Sequence, residues 1–152
     1  MEHTFHYLIM AEQALFQKEL LAKLKGSGLT IGQPKILDYL RDHDGANQKE
    51  IARGCHIEPG TLTSILNRME ESSLVERRML NGNRRSFHIF LTDTGKLQAE
   101  KVASAFSQLE DQAFRNISAE DRKIFLNLFN RIFQNSIDIN KEERDTDIIW
   151  KN

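Results

Sequence analysis

A mainly helical fold carrying one small β-hairpin is predicted from three observations in this 152-residue sequence. Residues 47–72 read as two short consecutive helices, the second with a face of small polar side chains. A stretch without any acidic residue follows, Arg77 to Thr92, with Arg77, Arg78, Arg84 and Arg85 around the turn Asn81-Gly82-Asn83. Longer segments with helical apolar spacing lie on either side. A short helix, a polar-faced helix and a basic hairpin, in that order, are how a winged helix-turn-helix presents itself to DNA. The expected architecture is that unit flanked by N- and C-terminal dimerisation helices.

From Phe5 to about Lys25 the apolar residues Phe5, Leu8, Ile9, Leu15, Phe16, Leu20 and Leu24 fall close to one helical face. Gly26-Ser27-Gly28 ends that helix, because glycine accepts the left-handed conformation at a helix terminus. Thr30 and Gln33 form a capping pattern for the next helix, Pro34 suits its first turn, and Ile36, Leu37 and Leu40 are its buried side. His43-Asp44-Gly45 breaks it.

Asn47 and Glu50 repeat the capping pattern and open a helix of about two turns that is expected to stop at Gly54. Pro59 marks the start of the reader helix, with Leu62, Ile65, Leu66 and Met69 inward. Its other side carries Thr61, Thr63, Ser64, Asn67 and Arg68, short hydrogen-bonding groups suited to bases and phosphates where a merely solvated helix would carry Glu and Lys.

Leu74 to Met79 and Ser86 to Leu91 alternate as strands around an Asn-Gly hairpin turn, with Phe87, Ile89 and Leu91 on one face and Ser86, His88 and Phe90 on the other. Thr92 and Asp93 cap a long helix with the stripe Ala99, Val102, Phe106, Leu109 and Ala113, closed by Ile117-Ser118. Ser118 and Asp121 start a last helix through Ile124, Phe125, Leu128, Phe129, Ile132, Phe133 and Ile137. The tail from Lys141 is mostly charged and expected to fray, with Ile148, Ile149 and Trp150 able to dock on a neighbour.

The length accommodates one domain, residues 1–152, with the winged helix at 30–95, dimerisation helices at 1–25 and 96–140, and a tail at 141–152. Phe5, Leu8, Phe125, Phe129 and Phe133 are the expected dimer contacts, since the terminal helices carry more apolar surface than a thin helix pair can bury. A net charge of −1 excludes general polycation behaviour, so DNA affinity must come from local basic clusters and must weaken with salt. No apolar run approaches the roughly 18 residues of a membrane span, and MEHTFHYLIM does not resemble a secretion leader, which points to a cytoplasmic location and no membrane partner. Cys55 is alone and cannot form an internal disulfide.

The run LVERRMLNGNRRSFHIFLTDTGK, Leu74 to Lys96, resembles the wing and following helix start of MarR-family transcription regulators. Leu29-Thr30, Ile36-Leu37 and the helix pair at 47–71 fall in the same order and at similar distances, so the resemblance covers nearly the whole chain. It implies a homodimer in which the terminal helices interlock and each subunit offers one winged helix-turn-helix to a pseudo-palindromic operator. Repression is the family's usual outcome, and the effectors are often small aromatic acids or oxidants. The resemblance maps the reader helix onto Pro59 to Glu71, the minor-groove arginine onto Arg85, and Arg84 beside it onto phosphate. Two positions depart from the family pattern: Asn83 replaces an acidic residue that braces the wing through an arginine, here Arg77, and Ser73 replaces a glycine after the reader helix. The DNA-binding set is therefore Gln48, Thr61, Thr63, Ser64, Asn67, Arg68, Arg77, Arg78, Arg84 and Arg85. With about six to eight phosphates neutralised per dimer, the salt slope would be roughly −5 to −7.

Competing readings are weaker. GxSxG, P-loop, HExxH and GxGxxG patterns are missing, so no catalytic residue or cofactor is expected. His3 and His6 lack a histidine between Lys96 and Arg115 to complete a metal cluster and read as surface residues. Oxidation of Cys55, between the two reader helices, would disturb DNA contact, but inert packing is the favoured reading. A winged-helix adaptor for protein contacts, with Arg84 and Arg85 merely solvated, is the rival from another class.

Overall fold

The computed structural model describes residues 2–80, 82 and 86–149. Among them run helices α1 (Phe5–Lys23), α2 (Gln33–Asp42), α3 (Gln48–Cys55) and α4 (Pro59–Glu71), strands β1 (Val75–Met79) and β2 (Phe87–Leu91), and helices α5 (Asp93–Ala113) and α6 (Ala119–Ile149). Asn81, Asn83, Arg84, Arg85 and Trp150 lie outside the described residues. The chain divides into two compact units, Met1–Glu110 and Asp111–Asn152.

The first unit is organised around a core of Ile36, Leu37, Leu40, Ile51, Leu62, Leu66, Met69, Ile89 and Val102, all fully buried. Its helix starts follow the sequence closely. Asn47 Oδ1 accepts from the Glu50 amide at 2.9 Å while Glu50 Oε2 accepts from the Asn47 amide at 2.8 Å, closing the capping box that opens α3. At α2 only half of the pattern forms: the Thr30 amide donates to Gln33 Oε1 at 3.1 Å, and Gly32, at φ 89°, takes the cap position.

Gly54 does not stop α3. It lies inside the helix, where any Cβ would overlap the ring of Tyr39, and the left-handed residue that ends the helix is His56 at φ 51°. The glycine serves the close approach of α2 and α3, a nonlocal demand that local punctuation cannot reveal.

β1 and β2 pair antiparallel, Val75 opposite Leu91 and Met79 opposite Phe87. A third backbone segment joins them: the Gly45 amide donates to Ile89 O at 2.8 Å, the Ile89 amide donates to Ala46 O at 2.9 Å, and Asn47 bridges His88. The start of α3 is thereby tied to the hairpin. Ile89 and Leu91 are buried as expected, but Phe87, near the hairpin tip and beyond the reach of the core, is 40% exposed.

The second unit begins in the last turn of α5. Ser118 opens α6: the Asp121 amide donates to Ser118 Oγ at 3.0 Å and the Ser118 hydroxyl returns a bond to Asp121 Oδ2 at 2.7 Å. Phe114 meets Phe125 edge-on, and Phe125 stacks on Phe129. The helix does not fray at Lys141 but continues to Ile149. Lys141 to Asp147 contains no glycine or proline, and its Glu, Arg and Lys residues are good helix formers. Phe125, Leu128, Ile132 and Phe133 remain largely exposed along α6. No helix among the described residues is long and apolar enough to cross a membrane.

Candidate nucleic-acid interface

Amphipathic periodicity decides how α4 sits. Leu62, Leu66 and Met69 are buried, so Thr61, Thr63, Ser64, Asn67 and Arg68 are all left exposed on the other side. Glu58 caps the helix, its carboxylate accepting from the Thr61 amide at 3.0 Å. Hydrogen bonds donated by the backbone amides of Thr61 and then Gly60 hold that carboxyl below the usual glutamate range, because they stabilise the charged form. The hydroxyls of Thr63 and Ser64 donate back to Pro59 O and Gly60 O, at 3.1 and 3.4 Å. The Ser64 oxygen retains acceptor capacity, while that of Thr63 is partly taken up by Gln48.

Gln48, from α3, donates through Nε2 to Thr63 Oγ1 at 3.3 Å. Beside them Asn67, Glu70, Arg77 and Phe87 complete a shallow groove between the two helices and the hairpin. Arg77 crosses it: Nη2 donates to Asn67 Oδ1 at 2.8 Å, and Nη1 lies 3.5 Å from Glu70 Oε1. Its side chain is only 19% exposed. Glu70 of α4 is thus the acid that pairs with this strand arginine.

The strand alternation sends Arg78 to the opposite face of the hairpin. Its guanidinium lies over the Phe90 ring, 4.3 Å from the centroid, and pairs with the Glu76 carboxylate. Arg68 is separate again, lining a second depression with Leu21, Leu24, Lys25, Leu29 and Ile31. The structure therefore gathers Gln48, Thr63, Asn67 and Arg77 in one groove, keeps Thr61 and Ser64 on the same helix, and places Arg68 and Arg78 elsewhere. Arg84 and Arg85 fall outside the described residues.

Glu58 and Glu70 are the site residues that sequence reasoning missed. Glu70 stands three residues after Asn67, one turn along the polar face, where an acid can reach whatever cation Asn67 meets. Ser73 does adopt the left-handed geometry of the glycine it replaces, at φ 57°.

The residues weighed for other chemistry sit apart from this groove. Cys55 is 1% exposed, and burial pushes its thiol above the usual range, so little reactive thiolate forms. His3 stacks on Tyr7, and among the described residues no group of three or more His, Cys, Asp or Glu is placed to hold a metal. Of the expected dimer contacts, Phe5, Leu8 and Phe125 are about half exposed in the single chain, and Phe129 and Phe133 somewhat less.

Comparison with known proteins supports the same interpretation. The model of the MarR family matches residues 29–87. The chain is 30% identical over 99 residues to the uncharacterized HTH-type transcriptional regulator YwhA of Bacillus subtilis, covering 65% of this chain and 71% of that one. It is 33% identical over 93 residues to the HTH-type transcriptional repressor MdtR of the same organism, covering 59% of this chain and 60% of MdtR. In structure it resembles S. aureus MepR in its DNA complex, with a TM-score of 0.81 at 24% identity over 88% of this chain and 98% of MepR.

Proposed function

This chain belongs to the MarR family of winged helix-turn-helix transcriptional regulators, and from that premise we propose that it is a cytoplasmic homodimeric repressor, released from a pseudo-palindromic operator by a small-molecule effector. The observation that carries the reading is α4, whose apolar stripe is buried while Thr61, Thr63, Ser64, Asn67 and Arg68 stand exposed beside a basic hairpin. Such a helix enters a major groove with its polar side, while phosphate contacts fix its register. Repression is supported by the likeness to the repressor MdtR, and DNA as partner by the shared fold with MepR, which was solved on DNA.

Dimerisation is supported by the exposed apolar side chains of α1 and α6, among them Leu8, Met10, Phe125 and Leu128. Twofold pairing would bury them and set two reader helices about 34 Å apart, one turn of DNA. An effector that prefers a dimer with a different helix spacing would release the operator in proportion to that preference. The test is a gel-shift titration with the duplex upstream of the chain's own gene against a scrambled duplex, at two salt concentrations. Preference for the upstream duplex that falls with salt supports the reading, and equal binding to both contradicts it.

A further inference from the structure

Arginine has hydrogen-bond donors and no acceptor, so an asparagine facing it must turn its carbonyl inward. Asn67 does so: Oδ1 accepts from Arg77 Nη2 at 2.8 Å. The amide is planar, and Nδ2 is directed away from the guanidinium. Among the described residues it has no partner, and Asn67 is exposed at the lip of the groove. Glu70 Oε1 lies 3.5 Å from the other terminal nitrogen of Arg77, Nη1, and the low exposure of the arginine keeps the clasp from turning over into solvent. An asparagine that is free to rotate reads adenine with both ends, Nδ2 to N7 and Oδ1 from the N6 amine. With Oδ1 committed to Arg77, that second bond is lost and only a donor remains.

We propose that Arg77, anchored by Glu70, is a positioning residue that fixes Asn67 as a donor-only reader, so that Asn67 selects an acceptor edge such as guanine N7 and O6 and discriminates against adenine. This rests on the reading of the chain as a DNA-binding regulator. It assigns Glu70, an acid on a DNA-facing helix, a purpose: it keeps the arginine on the amide and off phosphate.

The test is selection from a pool of duplexes with a randomised core of about 20 base pairs, long enough for two half-sites one turn apart, using the full chain, Asn67→Asp and Arg77→Met, each checked for folding by circular dichroism. The wild type is expected to prefer guanine over adenine at one position per half-site, by about 2- to 12-fold, the discrimination that one neutral hydrogen bond supplies. Asn67→Asp keeps an acceptor for Arg77 and removes the donor, so the guanine preference should vanish at that position alone. Arg77→Met frees the amide and should bring adenine to near parity with guanine there. Unchanged base preference in Asn67→Asp, retained guanine preference in Arg77→Met, or a wild-type preference for adenine at the Asn67-dependent position would overturn the proposal. A wild-type protein that enriches no sequence at low salt removes the DNA reading itself, and the assignment with it, and is told apart by the failure of every arm.

Discussion

Gly95, in the first turn of α5, packs so closely against the carbonyl oxygen of Leu74 that any Cβ there would overlap it. Thr92 secures the same junction, its hydroxyl donating to Ser73 O at 2.6 Å and its oxygen accepting from the Gly95 amide at 2.9 Å. The end of the reader helix, the base of the hairpin and the start of α5 are thus one joint. Gly95→Ala forces a Cβ against the backbone carbonyl of Leu74 and is expected to cost about 1–3 kcal/mol or more. Urea unfolding measures it, and an unchanged midpoint would show that the joint has slack.

Ser73 makes the reverse case. Its φ of 57° places a Cβ where L-residues are strained, at about 1–2 kcal/mol. Glycine relieves the strain but carries more unfolded-state entropy, about 0.5–1 kcal/mol. Ser73→Gly should therefore leave a net effect between about 0 and 1.5 kcal/mol in favour of glycine. A lower melting temperature in calorimetry would mean that the serine side chain contributes something else.

Much of this architecture is legible locally. Asn47 with Glu50, Pro59, Thr92 and Ser118 with Asp121 each mark a helix start through groups within three residues of one another, and the inward stripe of α4 follows from periodicity alone. What escapes is nonlocal. The pairing of Asn47 with His88 joins residues 41 positions apart, the need for Gly54 comes from Tyr39, and the arginine brace depends on where Glu70 and Arg77 meet in space. The exposed polar face of α4 was readable from periodicity, but the bonds among its members, which decide what it can still donate or accept, were not.

Those bonds alter the expected salt dependence. Arg77 is engaged with Asn67 and Glu70 and is removed from the phosphate count, while the exposed pair of Arg78 with Glu76 is easily exchanged. Removing two charges per dimer leaves about four to six, and the slope of log affinity against log salt becomes roughly −4 to −5. Anisotropy titrations across a salt series give it directly, and a slope of −7 or steeper would return Arg77 to phosphate.

The Glu58 cap gives a pH signature. Its folded-state pKa is lowered, so its contribution is fully present above the unfolded glutamate pKa and is lost as pH falls through the folded value. Wild type should therefore melt above Glu58→Ala near neutrality, with the gap closing in acid below the ordinary glutamate range. A gap that persists unchanged at low pH would argue against the cap.

Burial and a raised thiol pKa make Cys55 a packing residue. Native protein should react slowly with iodoacetamide near neutral pH and rapidly once unfolded, and peroxide should leave DNA affinity unchanged. Rapid labelling of the native state would revive the redox reading.

The central claim is that a symmetric pair of these chains reads DNA through α4 and the wing. Sedimentation equilibrium of the full chain with the duplex upstream of its own gene tests it most directly. Two chains per duplex at low salt, with the complex lost on a scrambled duplex, is the predicted result. A monomer in solution and on DNA, or equal complex formation on both duplexes, would contradict it.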